Sequence, residues 1–169
     1  MQYDKYTFFY SGPFSQWFAC EFVIDGVKYN CAEQYMMHMK ALIFGDTESA
    51  ELIMKAKHPR QQKSLGRSVK NFDASRWNEI ARDLVYKGNY AKFQQSEELR
   101  RVLEETKGTL LVEASPTDTI WGIGLPMDAS GLEDPANWLG TNWLGEAITK
   151  VREDLEENIY RVEGFQWSQ

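Results

Sequence analysis

The pattern of hydrophobic and polar positions changes period along the chain, and the short-period segments come first. An aromatic run at residues 6–10 predicts a strand, because aromatic side chains favour the pleated backbone. Two further apolar runs, at residues 21–24 and 27–29, flank an Asp-Gly pair and predict a β-hairpin with a tight turn. A last strand is predicted at residues 109–113, which read TLLVE. The strands are therefore expected to be few and short.

Apolar residues recur at helical spacing through most of the remaining chain. The first helix is predicted to begin at Asn30 as N-cap and to end before Gly45. The other helices are predicted at residues 47–56, 59–66, 73–93 and 96–107, and from residue 142 to about residue 160. No internal repeat and no linker interrupts this series. The sequence predicts a mostly helical α+β fold, with several helices around a small β-sheet or hairpin, as a single domain over residues 1–169.

Charge and composition limit the classes of function. The 169 residues carry a formal net charge of −6, which argues against a broad electrostatic grip on nucleic acid. A nucleic-acid substrate held by a few local contacts remains compatible with this charge. Cys20 and Cys31 form no CxxC pair and no zinc pattern with either histidine, so no metal site is predicted.

Targeting features are not evident in the sequence. The chain begins MQYDKYTFFY, which is not a basic-then-apolar leader, and no apolar stretch is long enough to span a bilayer. We therefore expect a cytoplasmic protein with two free thiols. The oligomeric state is not predicted.

Residues 115–142 are the most informative part of the chain, because long irregular segments in small domains are often functional. The segment holds Asp118 and the tract Trp121, Gly122, Ile123, Gly124. Glycines there would let the backbone approach a ligand closely while a ring packs beside it. The alternative is that the glycines only shape turns and the tryptophans fill the core.

Two charged residues of the first helix form a second candidate feature. Glu33 and Lys40 are seven residues apart, nearly two helical turns, so both project from one face. They could form a carboxylate–amine pair in a pocket. Alternatively, Glu33 completes a capping box with Asn30, and Lys40 is a solvated charge. Arg67 offers a planar fork of donors that would suit a phosphate.

Several of these stretches, taken in order, resemble one protein family. They are FFY at residues 8–10, GPFS at 12–15, VKYNCAEQYMMHMKA at 27–41, GR at 66–67, Trp77, KGNYAKF at 87–93, LVEASP at 111–116, Asp118, WGIGL at 121–125 and WLGTNWLG at 138–145. The chain thereby resembles the NADAR (YbiA-like) family over about residues 6–155. Members often carry Ser-Asn-Phe or Ser-Asn-Tyr in the opening loop, whereas here Gln16 follows Ser15.

The resemblance implies an N-glycosidase that hydrolyses a ribose C1–N bond. It implies two kinds of substrate: ADP-ribose attached to guanine in nucleic acid, and phosphoribosylamino-pyrimidine intermediates of riboflavin biosynthesis. Both place a phosphate at the far end of the sugar. The alternative is a non-catalytic module that binds ADP-ribose or NAD.

The same resemblance implies the site. The catalytic candidates are Glu33 and Asp118, whose roles as acid or base stay open, and Lys40, which could form a Schiff base with an opened ribose. The substrate-binding candidates are Ser15, Arg67, Trp77, Trp121, Gly122, Gly124 and Asn142. Asn142 either bonds a ribose hydroxyl or caps the last helix. We expect no metal and no cofactor.

Overall fold

The structure is a computed structural model that describes residues 3–162 and 165–168. The strands are β1 (Tyr6–Phe9), β2 (Phe22–Ile24), β3 (Val27–Tyr29) and β4 (Leu110–Glu113). The helices are α1 (Ala32–Ile43), α2 (Thr47–Lys55), α3 (Pro59–Arg67), α4 (Ala74–Gln94), α5 (Glu97–Glu104) and α6 (Trp143–Glu156), with a 3-10 turn at Pro135–Asn137. The predicted fold class, helices around a small amount of sheet, is confirmed.

The strands form two separate pairs. β2 and β3 pair antiparallel across Asp25 and Gly26, which have φ values of 51° and 80°. Two consecutive positive φ angles characterise the primed hairpin turn that Asp-Gly favours, so the predicted hairpin is confirmed. β1 and β4 pair in parallel, with Phe9 opposite Glu113. Because the two strands run parallel, the chain must cross over between them, and the helices between β1 and β4 form this crossover.

Two glycines lie where a helix closely approaches another helix or β4. At Gly88 in α4, an added Cβ would lie 2.8 Å from the ring of Tyr35 in α1. At Gly145 in α6, an added Cβ would lie 2.0 Å from the carbonyl oxygen of Leu111 in β4. Larger side chains would therefore force α1 away from α4 and α6 away from the sheet. The absence of a side chain at Gly145 allows the first turn of α6 to lie directly against β4.

The start of α1 differs from the predicted capping box. The N-cap residue is Cys31, and its side chain makes no capping bond. The amide of Asn30 is instead bonded to the side chain of Gln62 (3.0 Å) and to the Ala56 carbonyl (3.4 Å). The Asn30 N–H donates to Gln34 Oε1 at 2.8 Å rather than to Glu33. The Glu33 carboxyl is consequently not used as a cap.

Helix ends differ from prediction elsewhere as well. The last helix ends at Glu156 rather than near Tyr160. Within the described ranges, no helix combines the length and the apolar character needed to cross a membrane.

Candidate functional site

The first catalytic candidate, Glu33, lies in the first turn of α1 and is only 7% exposed. Electrostatic interactions connect its carboxyl with Lys40, Lys63 and Arg67 and with Asp118. The structure therefore brings together residues from α1, α3 and the irregular segment after β4. Glu33, Lys40, Asp118 and Arg67, selected from the sequence, are all members of this cluster.

Burial is the largest influence on the pKa of Glu33. It raises the pKa of the carboxyl from 4.5 to about 7, and the Asp118 carboxylate adds to the rise. Lys63, Lys40 and Arg67 oppose the rise, since cations favour the ionised form. A carboxyl that titrates near neutral pH is suited to exchange protons with a substrate or to act as a carboxylate beside developing charge.

Lys40 in the last turn of α1 is half-buried between aromatic rings. Its Nζ lies 4.5 Å from the ring centroid of Phe72 and 5.6 Å from that of Trp77. Burial lowers the pKa of the amine, Arg67 lowers it further, and Glu33 opposes the shift. The alternative of a solvated surface lysine does not describe this environment. The net direction of the shift favours the unprotonated amine that nucleophilic chemistry needs.

Asp118 organises the loop that carries it. Its Oδ1 accepts the backbone N–H of Ile120 at 2.9 Å and of Trp121 at 2.8 Å. Its own backbone N–H donates to the hydroxyl of Ser115 at 3.2 Å. The carboxylate is thus held in place as a hydrogen-bond acceptor, close enough to Glu33 to influence its titration.

The two glycines of the irregular segment have packing roles. An added Cβ on Gly122 would lie 2.8 Å from the carbonyl oxygen of Glu113 and 3.1 Å from that of Asp118. Gly124 has a φ of +72°, and its N–H donates to the Asp118 carbonyl at 3.1 Å. These contacts favour the alternative in which both glycines shape the chain. The Gly124 N–H is engaged by this bond to Asp118 and is not free to bind a ligand.

The two tryptophans selected from the sequence differ in accessibility. Trp121 is half-buried, and its ring meets Trp143 edge-on at a centroid distance of 5.6 Å. Trp77 is 8% exposed and packs in the main core beside Lys40. Trp121 therefore offers the more accessible ring to a flat ligand.

The Asn142 side chain does not cap the last helix, and its bond to a ribose hydroxyl stays a prediction. Asn142 has a left-handed backbone conformation at the N-cap of α6 and makes no side-chain capping bond. Its Oδ1 accepts the backbone N–H of Glu113 at 3.0 Å, and its Nδ2 donates to the Leu111 carbonyl at 3.0 Å. Both groups of the amide therefore bind β4, because the first turn of α6 lies against that strand. The residue aligns the strand end instead of capping the helix.

The opening loop is fastened to the helices. The Ser15 hydroxyl accepts the Trp17 N–H at 3.1 Å, which stabilises the turn. The carbonyl of Gln16 accepts the Glu33 N–H at 2.9 Å, and its side-chain Oε1 accepts from Asn89 of α4 at 2.8 Å. The side chain of Gln16 thus joins the loop to α4, while its backbone contacts Glu33 in the first turn of α1.

Lys92 of α4 completes the attachment of this loop. The side chain is 1% exposed, and its Nζ donates to the Ser15 carbonyl at 3.1 Å. Burial lowers the pKa of the amine from 10.5 to about 8. A buried ammonium with this partner opposes folding, because its other N–H groups have lost water.

Lys92→Met is therefore expected to increase the free energy of unfolding at pH 7 by roughly 2 kcal/mol, after about 1 kcal/mol is subtracted for the lost hydrogen bond. The unfolded chain binds more protons than the folded chain between pH 8 and 10.5, so the native lysine becomes less unfavourable as pH rises through that range. The advantage of the variant should shrink accordingly. Urea unfolding at pH 7 and pH 10 measures it. Exposed Lys57→Met is the control, and a destabilised Lys92→Met protein at pH 7 would contradict the expectation.

Two further residues of the cluster were not selected from the sequence. Lys63 lies one turn before Arg67 on the same face of α3 and acts electrostatically on Glu33. Glu113 is the last residue of β4, and its carboxyl interacts with Glu33, Asp118 and Lys63. A polar residue that ends an apolar strand was the available indication for Glu113, since strand ends commonly carry functional groups. The spacing of four from Arg67 was the indication for Lys63.

The described part of the chain contains no group of three or more His, Cys, Asp or Glu side chains arranged to hold a metal ion. Cys20 and Cys31 are free thiols. Metal-independent chemistry stays a prediction.

Comparison with known proteins adds four findings. A family model described as "NADAR domain" matches residues 6–156. The chain is 46% identical over 131 residues to Protein irg-1 of Caenorhabditis elegans, a match covering 76% of this chain and 62% of irg-1. It is 39% identical over 170 residues to N-glycosidase R617 of Acanthamoeba polyphaga mimivirus, covering 93% of this chain and 100% of that protein. The NMR structure of Escherichia coli YbiA superimposes with a TM-score of 0.75 at 27% identity, over 98% of this chain and 94% of YbiA.

Proposed function

This chain belongs to the NADAR family, and from that membership we propose that its site hydrolyses the bond between ribose C1 and a base nitrogen. Like its mimiviral relative it is an N-glycosidase, a hydrolase acting on N-glycosyl compounds. The observation that carries the proposal is the electrostatic cluster in which Glu33 and Asp118 face Lys40, Lys63 and Arg67.

The cluster suits the charge that this reaction develops. Breaking the C1–N bond builds positive charge on C1 and the ring oxygen, as in other glycoside cleavage. The carboxylates of Glu33 and Asp118 would stabilise that charge, and more strongly at a buried site than in water. One of them would also orient the attacking water. Lys40 would exchange a proton with the substrate or form a Schiff base with the aldehyde of an opened ribose.

The positions of the cations support one orientation of the substrate. Lys63 and Arg67 lie on one face of α3, so a phosphate at the 5′ end of the ribose would bind there. Trp121, whose backbone N–H bonds to Asp118, would stack on the base or sugar. Ser15 and Gln16 would act through the opening loop, whose backbone contacts α1.

Two substrates fit this orientation: ADP-ribosylated guanine in nucleic acid, and a phosphoribosylamino-pyrimidine. The test incubates the purified protein with each substrate and follows free ADP-ribose or free ribose 5-phosphate by mass spectrometry. Release of ADP-ribose would identify a modification eraser, and release of ribose 5-phosphate a metabolic glycosidase. Activity should persist with a chelator. Tight binding of ADP-ribose without either product would contradict the proposal and favour a binding module.

A further inference from the structure

Glu113 is held rigidly at the carboxyl end of β4. Its backbone N–H donates to Asn142 Oδ1 at 3.0 Å, and its carbonyl accepts the Ile123 N–H at 2.9 Å. It also pairs with Phe9 in the parallel ladder, and Ala114 N–H donates to the Phe9 carbonyl at 2.7 Å. The position of its Cα relative to the cluster is therefore determined by β1, α6 and the irregular segment together.

The carboxyl group of Glu113 lacks the support that its backbone has. Its Oε2 is buried and has no hydrogen-bond partner among the residues that the structure describes. Burial of a carboxylate oxygen without a hydrogen-bond partner is unfavourable, so burial favours the neutral carboxyl, and a ligand that supplied the partner would offset that cost. The pKa of Glu113 is raised to about 7, chiefly by burial and also by the carboxyls of Asp118 and Glu33, while Lys63 opposes the rise.

The charges around the three carboxyls of the cluster divide their roles. Glu33 interacts with three cations, Lys63, Lys40 and Arg67, which favour its ionised form. Glu113 interacts with one cation, Lys63, and with two carboxyls. The Oδ1 of Asp118 accepts two backbone N–H bonds and therefore acts as an acceptor. Glu113 is the carboxyl with the fewest groups that stabilise a negative charge.

We propose, on the premise of the N-glycosidase function above, that Glu113 is a further catalytic residue and donates the proton that the leaving base nitrogen takes up. As the C1–N bond breaks, its electron pair stays on nitrogen, and the nitrogen receives the proton of the Glu113 carboxyl. Water then adds to C1, and its proton returns to the Glu113 carboxylate. The net reaction converts one N-glycoside and one water into a ribosyl product with a hydroxyl on C1 and a free base whose nitrogen carries the transferred proton.

The test compares two leaving groups. Glu113→Gln should lose turnover of the N-linked substrate by a factor on the order of 10²–10⁴, because protonation of the leaving nitrogen is lost. It should retain most turnover of nitrophenyl ribose 5-phosphate, because nitrophenolate leaves without a proton. Glu33→Gln should lose both. Exposed Glu105→Gln is the matched control and should lose neither.

The pH dependence provides the second readout. The native enzyme should lose kcat as pH rises above about 7, where Glu113 ionises, and this limb should be absent from Glu113→Gln with the N-linked substrate. The proposal would be overturned if Glu113→Gln lost turnover of both substrates equally, kept its turnover unchanged, or kept the decline of kcat at high pH. These outcomes differ from failure of the proposed function, in which the native protein itself would cleave no N-glycoside. Thermal unfolding of each variant verifies folding.

Discussion

Lys40→Ala is expected to reduce turnover by roughly 10³-fold, within the range for loss of a proton-transfer group. The amine lies over the rings of Phe72 and Trp77 and acts electrostatically on Glu33, so its removal takes away both a reactive group and a neighbouring charge. The measurement is kcat and KM on whichever N-glycoside the native protein cleaves. Near-normal turnover of Lys40→Ala would refute any essential role for this residue.

Lys40→Arg separates charge from amine chemistry. Arginine keeps the positive charge but cannot give up its proton or form a Schiff base. We expect Lys40→Arg to be nearly as inactive as Lys40→Ala, whereas substantial retention of activity would indicate that charge alone is needed. Borohydride added during turnover would trap a Schiff base as a mass increase on the native protein. Lys55→Ala, at the last turn of α2 and exposed, is the matched control.

Glu33→Gln is expected to lower turnover by about 10²–10³-fold while making the protein more stable at pH 8. Loss of a preorganised charge near the reaction centre accounts for the lower rate. The stability follows from the pKa, which is raised from 4.5 in the unfolded chain to about 7 in the folded protein. The folded state then binds more protons between pH 4.5 and 7, so this residue's contribution to stability is present below pH 4.5 and is lost as pH rises through 7.

The neutral amide removes that loss. The rise of the pKa from 4.5 to about 7 corresponds to roughly 3 kcal/mol in the free energy of unfolding at pH 8. Urea unfolding of the native protein and of Glu33→Gln measures this difference. The difference should nearly vanish at pH 4.5. Glu48→Gln, at the first turn of α2 and exposed, should leave the rate unchanged and alter stability by less than about 1 kcal/mol, because only its exposed ion pair with Lys70 is lost. A less stable and fully active Glu33→Gln protein would contradict both the burial argument and the catalytic one.

Stabilisation together with loss of activity is the combination expected of a residue kept for function. A purely structural carboxyl would show the opposite, because its removal would weaken the fold and leave the rate of a folded variant unchanged. The same comparison distinguishes Glu33 from Asp118, whose Oδ1 bonds to Ile120 and Trp121 give it a structural share in the loop.

Local features were predictable from the sequence because they depend on neighbours in the chain. The Asp25-Gly26 hairpin forms since those two residues tolerate positive φ, and the helices follow the spacing of their apolar side chains. The shared face of Glu33 and Lys40 is likewise a property of helix geometry, and the structure shows the two interacting. The resemblance to the NADAR family also rests on ordered motifs and is confirmed over residues 6–156.

The sequence by itself determined the elements and the family and selected four members of the charged cluster, whereas tertiary structure decided which polar groups are available for chemistry. Gln62 and Ala56 engage the Asn30 amide, which leaves the Glu33 carboxyl out of any cap. β4 engages both groups of the Asn142 amide, and no partner reaches Oε2 of Glu113. Each outcome depends on a competition among donors and acceptors from distant parts of the chain. Spacing within one element carries no information about such a competition, because the competitors meet only when the helices pack on the sheet.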